Sequence, residues 1–197
     1  MPAYSREELE SAFLHFEATA QRASQLGDWT VWADLFTDDA TYWEHLYGRF
    51  NGRDEIAAWI TATMSTYPGS EMPHFPSDWH VIDEDRGWVV VYIQNRMRDP
   101  GDGSVHQAPN ITILHYAGNN QWSYEEDIYN VEDFVTMLSG WEQRVRDLGG
   151  DPRAPTPIVT DHRGGPATDG RRGAARPRPG RVGTRGSSAN PEAEADG

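Results

Sequence analysis

The segment from residue 35 to residue 60 constrains the fold more than any other part of the chain, because four structural signals follow one another within it. Its sequence is LFTDDATYWEHLYGRFNGRDEIAAWI. An acidic turn around Asp38 leads into residues that alternate with a period of two, which is typical of a strand. Gly52 then precedes a helix whose apolar residues, Ile56 and Ile60, recur at an interval of four. A strand and a helix joined by so short a turn predict a compact α+β unit.

The strand predicted over residues 41–47 has two chemically different faces. One face carries Tyr42, Glu44 and Leu46, and the other carries Thr41, Trp43, His45 and Tyr47. One of these faces must point into the protein. Alternation by itself does not say which, so a buried Glu44 and a solvent-exposed Glu44 both stay open.

The remaining elements follow from capping and turn chemistry. Ser5, with Glu8 three residues later, can cap a helix that we expect to end near Leu26. Asp28 and Asn130 can cap a short second helix and a last helix. Four further strands, separated by turns rich in Gly, Asn and Asp, are predicted over residues 73–83, 87–98, 106–116 and 121–129. The local pattern predicts an α+β fold with an antiparallel sheet.

Composition divides the chain and limits its partners. Residues 1–150 hold 25 acidic residues against nine arginines, so we expect neither nucleic acid nor other phosphate-rich partners for this part. Residues 151–197 are rich in Pro, Gly and Arg and predict a disordered tail. The chain has no cysteine, which excludes disulfides and thiolate chemistry. No stretch has the length and apolar character of a signal peptide or membrane span, so we expect a cytoplasmic protein with no membrane partner.

The order of signals between residues 35 and 60 resembles that of the SnoaL-like branch of the nuclear transport factor 2-like superfamily. The resemblance implies a domain over residues 1–150 with the element order ααβαββββα. Its fold would be a cone-shaped α+β barrel, with a curved antiparallel sheet wrapped on the helices. The resemblance also implies a small hydrophobic ligand between sheet and helices, and a homodimer formed through the outer face of the sheet. Enzymes of this superfamily include polyketide cyclases, steroid isomerases, limonene-epoxide hydrolases and scytalone dehydratase.

The same resemblance suggests four site residues on two strands. Glu44 falls where the steroid isomerases carry a proton-shuttling carboxylate, and limonene-epoxide hydrolases hold water at the positions of Tyr42 and Glu44. In WSYEEDIYN, Asp127 resembles the aspartate with which those hydrolases activate water. Tyr129 and Asp127 share a face by period two, so Tyr129 is a candidate hydrogen-bond donor. A solvated strand end explains the acidic run equally well.

Three further candidates come from the other strands. His74 resembles one catalytic histidine of scytalone dehydratase, although Asn95, Arg96 and Met97 occupy the segment where that enzyme has its second histidine. Asn95 falls near a polar pair of the epoxide hydrolases and, at the end of an apolar strand, needs a partner or a ligand. Trp88 lies on a strand, where an indole could line a cavity for a planar ligand.

These residues predict an enzyme that performs acid/base chemistry on a small hydrophobic molecule without a cofactor. Glu44 or Asp127 would be the base, and isomerisation, dehydration, cyclisation and epoxide hydrolysis all need these residue types. A non-catalytic binding or dimerisation module is the alternative, as is a structural subunit resembling the β subunits of ring-hydroxylating dioxygenases. We expect no metal, because the sequence contains no His-x-His pattern.

Overall fold

A computed structural model describes residues 3–154 of the 197-residue chain, and these residues form an α+β fold. The predicted disordered tail, apart from its first four residues, lies outside the described residues. The elements in chain order are α1 (Arg6–Leu26), α2 (Thr30–Ala33), β1 (Phe36–Glu44), β2 (Gly48–Asn51), α3 (Arg53–Met64), β3 (Ser77–Asp83), β4 (Trp88–Arg96), β5 (Gln107–Gly118), β6 (Gln121–Ile128) and α4 (Val131–Asp147). A single 3₁₀ turn, Gly69–Glu71, precedes β3.

The six strands form one curved, unclosed sheet in the order β2-β1-β6-β5-β4-β3. The α+β class is confirmed, but the sheet is mixed and not wholly antiparallel: β1 and β6 run parallel. The other neighbouring pairs are antiparallel, as predicted. β1 and β6 are connected through most of the chain, so no hairpin dictates their relative direction. This parallel pair brings Glu44 opposite Asp127.

The predicted element order lacked β2. Residues 48–51 pair with β1, so the order is ααββαββββα. The strand predicted over residues 41–47 also begins earlier, at Phe36, and ends at Glu44. It ends there because the Glu44 carboxylate accepts the backbone N–H groups of Leu46 and Tyr47, at 2.8 and 2.5 Å, and turns the chain into β2.

Helix α1 covers the sheet with the predicted apolar face. The Ser5 hydroxyl caps it by accepting the Glu8 N–H at 3.1 Å. Its buried side chains pack in one cluster with residues from β1, α3, β4, β5 and β6: Leu9, Phe13, Phe16, Phe36, Ile56, Val89, Val91, Leu114 and Trp122. Each such side chain contributes roughly 1.5 to 3 kcal/mol when removed from water. This cluster fixes one end of the curved sheet.

Helix α4 supports a second cluster at the other end. The Asn130 side chain caps α4, as predicted, by accepting the Glu132 N–H at 3.1 Å. Met137, Trp141 and Val145 of α4 pack against Met97 and Ala108. Residues from both clusters line the cavity described below. In the described part of the chain, no helix combines the length and apolar character needed to cross a membrane.

Candidate functional site

A cavity of about 570 Å³ lies between the helices and the inner face of the sheet. This volume is in the range of small-molecule sites. Most of the wall is apolar or aromatic, with ring side chains contributed by Phe16, Trp29, Trp32, Tyr42, Tyr47, Trp59, Tyr67, Phe75, Tyr129 and Phe134. The polar part of the wall comes from the facing strands β1, β4, β5 and β6, with Tyr129 just beyond β6.

Asp127 stands at the centre of the polar wall because its strand, β6, lies between β1 and β5. One carboxylate oxygen, Oδ1, accepts the Thr112 hydroxyl and the Asn110 amide, the latter at 2.8 Å. The other oxygen, Oδ2, accepts the Tyr42 hydroxyl. Three donors from two neighbouring strands therefore fix the orientation of this carboxylate.

The surroundings of Asp127 raise its pKa to about 6. Loss of hydration is the main cause, and the hydrogen bonds from Thr112 and Tyr42 act in the opposite direction. The negative charge of Glu44 raises the pKa further. A carboxylate with this pKa is mostly ionised at neutral pH yet more basic than an ordinary aspartate, which suits a general base.

Tyr42 is held as a hydrogen-bond donor. Its side chain is buried, and burial together with the charge of Asp127 raises its pKa well above the ordinary value. The phenol therefore stays protonated at neutral pH. It can stabilise negative charge on Asp127 or on an oxygen that replaces this contact.

Glu44 lies on the same wall, with 4 % of its surface exposed. Its Oε2 accepts the two backbone N–H groups that end β1, and its Oε1 accepts the Tyr129 hydroxyl. Burial and this bond raise the pKa of Tyr129. Since both oxygens of Glu44 are engaged, its clearest effect is to place negative charge beside Asp127.

Glu125 is a third carboxylate on the wall that was not among the predicted site residues. It is 4 % exposed, and no described residue forms a hydrogen bond with its Oε2. Burial, followed by the charge of Asp127, raises its pKa well above the ordinary value. The period-two pattern that selected Asp127 and Tyr129 also places Glu125 on their face, so the signal was present in the sequence.

The residues of β4 and β5 extend the hydrogen-bonded wall. Asn95 lines the cavity and donates its side-chain N–H to the side-chain oxygen Oδ1 of Asn110 at 2.9 Å. Asn110 and Thr112, both buried, were missed as site residues. Polar side chains at alternate positions of an otherwise apolar strand were the available signal, because buried polar groups need partners.

Residues 8–146 match the family model of the SnoaL-like domain. This chain is a SnoaL-like domain protein. No curated protein matches its sequence. The SnoaL-like domain resembles a Mycobacterium tuberculosis LEH-like epoxide hydrolase at 12% identity and a TM-score of 0.54, covering 78% of this chain and 100% of that one. It also resembles a putative SnoaL-like polyketide cyclase from Jannaschia sp. CCS1 at 14% identity and a TM-score of 0.53, covering 71% and 98%.

A third similar structure is a hypothetical protein from Catenulispora acidiphila with a ketosteroid isomerase-like fold, in complex with trimethylamine. It shares 18% identity with the SnoaL-like domain at a TM-score of 0.50, covering 62% of this chain and 90% of that one. At these identities the similarities establish the fold.

Two predicted site residues of the SnoaL-like domain lie away from the cavity. His74 pairs with Arg96 in an isolated bridge and borders a separate surface depression with Glu17. Trp88 stacks on His115, with ring centroids 4.2 Å apart, on the outer face of the sheet. Neither residue is among the described residues that line the cavity. Glu44, Asp127, Tyr42, Asn95 and Tyr129 all line it.

Proposed function

We propose that this SnoaL-like protein is an enzyme that uses Asp127 as a general base on a small hydrophobic molecule bound in the cavity. The observation that carries the proposal is the environment of Asp127. This carboxylate has a pKa of about 6 and is held by three donors at the polar wall of a largely apolar cavity. A positioned base of this kind contributes about 10²- to 10⁴-fold to a proton-transfer step.

The wall provides both functions that such a reaction needs. Asp127 would remove a proton either from a carbon beside a carbonyl group or from a water molecule. The hydroxyl of Tyr42 and the amide of Asn95, on turning from their acceptors Asp127 and Asn110, would donate to a substrate oxygen and stabilise the negative charge that develops on it. Proton transfer of this kind requires no cofactor. Enolisation with isomerisation or cyclisation, dehydration and epoxide opening all use this pair of functions.

Glu44 has a supporting role in this proposal. Its negative charge raises the pKa of Asp127, so it makes Asp127 a stronger base. Its own oxygens also hold the turn after β1, by accepting two backbone N–H groups, and the Tyr129 hydroxyl. Because the pKa of about 6 suits a base near neutral pH, we assign proton transfer to Asp127 and the tuning of its basicity to Glu44.

The test is a turnover screen of the full-length protein against epoxides, enolisable ketones and β-hydroxyketones that carry apolar rings. For any compound that the wild type converts, we expect Asp127→Asn to lower kcat by about 100-fold or more, with a smaller change in KM. Glu126→Gln is the matched control. It removes one carboxylate from the adjacent residue, which pairs with His45 away from the cavity.

The pH profile separates a base from a structural carboxylate. We expect kcat/KM to rise with pH through about 6 in the wild type, and through a lower pH in Glu44→Gln. Turnover that survives Asp127→Asn would contradict the proposal. A compound that binds to all variants and is never converted would show that the cavity belongs to a carrier.

We also propose that the protein is a homodimer formed through the outer face of the sheet. Aromatic side chains cover this face. Trp88, His115 and Tyr124 stack across three strands at 4.2 and 4.4 Å, and Trp79, which is 48% exposed, stacks on Tyr92. Exposed apolar surface of this kind is typical of a protein interface.

A further inference from the structure

The charges around the cavity are all of one sign. Three carboxylates, Glu44, Glu125 and Asp127, line it. Among the described residues that line it there is no arginine and no histidine, and the whole chain contains no lysine. The polar wall is therefore acidic, and no cationic side chain is among its described residues.

This imbalance has a consequence for the ligand. A neutral apolar ligand would displace water and leave the carboxylates in a medium of lower dielectric constant, which costs free energy. An anionic ligand would add repulsion. A cationic ligand would instead supply the opposite charge that the wall lacks.

Glu125 is the carboxylate on this wall with one oxygen, Oε2, that no described residue satisfies. Asp127 and Glu44 each accept hydrogen bonds from protein donors at both oxygens. Glu125 lines the cavity with 4% of its surface exposed, and its Oε2 has no donor among the described residues. A buried acceptor left without a donor costs about 1 to 3 kcal/mol, so an N–H donor from a ligand would be favourable here.

The aromatic part of the wall suits the same ligand class. Tyr42, which is the register partner of Glu125 between β1 and β6, has Trp59 and Trp32 at ring-centroid distances of 4.8 and 6.2 Å. Both indoles line the cavity. A cation beside a tryptophan ring gains about 0.5 to 2 kcal/mol, with the larger value when water is excluded.

The acidic side chains do not point to a metal ion. Within residues 3–154, no group of three His, Asp or Glu side chains is arranged so that it could hold one. The wall is also too apolar for a hydrated ion, since metal cations such as Mg²⁺ keep several waters. An organic cation with an apolar body matches the charge and the aromatic surface together.

We propose that the ligand of this cavity is an apolar molecule carrying a protonated amine, which donates to Glu125 and lies against the rings of Trp32 and Trp59. This inference names the substrate class of the proposed enzyme. It rests on the proposed function only in the statement that the bound amine is converted. Binding can be measured without turnover.

The test compares three probes of nearly equal shape on the full-length protein at neutral pH, with binding followed by tryptophan fluorescence and calorimetry. N,N-Dimethylbenzylamine is protonated and has an N–H donor, benzyltrimethylammonium has the charge alone, and isobutylbenzene is the uncharged isostere of the protonated amine. We expect the amine to bind at least about tenfold more tightly than isobutylbenzene, equivalent to about 1.4 kcal/mol. The quaternary ion should fall between them, and phenylacetate should not bind.

The variants assign the preference to Glu125. We expect Glu125→Gln to reduce the preference for the amine over isobutylbenzene to below about threefold, which is under about 0.7 kcal/mol. Glu126→Gln, which removes the neighbouring charge outside the cavity, should retain it. Glu125→Met gives the same test without a new polar group if the glutamine variant does not fold.

The outcomes separate this inference from the proposed function. Isobutylbenzene binding as tightly as the amine, or a preference that persists in both Glu125 variants, would overturn the inference. Neutral substrates converted through Asp127 with no preference for amines would also overturn it and leave the proposed function intact. Amines that bind through Glu125 while Asp127→Asn changes no reaction would support the inference and overturn the proposed function.

Discussion

At the scale of single residues, Asp127 is subject to opposing effects on its proton affinity. Removal from bulk water and the charge of Glu44 favour the protonated form, whereas the donors Thr112, Tyr42 and Asn110 favour the ionised form. The balance leaves a pKa of about 6. A fully hydrogen-bonded carboxylate in contact with water would be a weaker base, and one without donors would have a higher pKa.

This balance predicts how the stability of the protein depends on pH. Asp127 binds its proton up to about pH 6 in the folded protein but only up to about 3.8 in the unfolded chain. The contribution of Asp127 to the stability of the folded protein is therefore fully present below about pH 4 and is lost as pH rises through 6. We expect Asp127→Asn to remove this loss. The free energy of unfolding of the variant, relative to that of the wild type, should therefore be higher at pH 8 than at pH 4 by roughly 2 to 3 kcal/mol. Urea unfolding at both pH values measures the difference.

The control for this experiment is Asp102→Asn. The pKa of Asp102 is lowered to about 2, first by the hydroxyl of Ser104 and then by Arg144. The stability that Asp102 contributes is present above about pH 4 and is lost as pH falls through 2. The difference in free energy of unfolding between Asp102→Asn and the wild type should therefore be the same at pH 4 and at pH 8. Equal curves for wild type and Asp127→Asn would contradict the account of Asp127.

The sequence identified some site residues and missed others for a physical reason. Tyr42, Glu44 and Asp127 were found because they lie in segments with a recognisable pattern. Alternation states only that Tyr42 and Glu44 share a face. Which face is inside depends on the helices packed against it. Glu125 and Thr112 also carry an alternating pattern, but their contacts with residues of other strands depend on strand pairing, which no local pattern states.

At the scale of elements, local signals predicted the helices well and the strand pairing less well. The Ser5 and Asn130 caps are confirmed because capping is a contact within three residues. β2 was missed because it has only four residues, GRFN, and because Gly48, which begins it, and Gly52, which follows it, are typical of turns. The parallel pairing of β1 with β6 was also missed. It joins segments more than 80 residues apart, and their direction is set by the whole sheet.

At the scale of the whole molecule, the proposed homodimer predicts a mass in solution. Light scattering should give twice the 22.2 kDa of one chain. We expect Trp79→Glu, which places a charge on the exposed outer face, to lower the mass to that of one chain. Leu148→Glu is the control, because Leu148 is similarly exposed, at 44%, but lies at the end of α4. A wild-type monomer would contradict the proposal.

The most direct test of the account is a titration of the Asp127 carboxyl group itself. Carboxyl ¹³C chemical shifts followed by NMR across pH 3 to 9 would give its midpoint, with the signal assigned by its absence from Asp127→Asn. The account predicts a midpoint of about 6 for the wild type and a lower one in Glu44→Gln, where the neighbouring charge is removed. A wild-type midpoint near 3.8, the ordinary value for an aspartate, would show that Asp127 is an ordinary carboxylate and would contradict its role as the base.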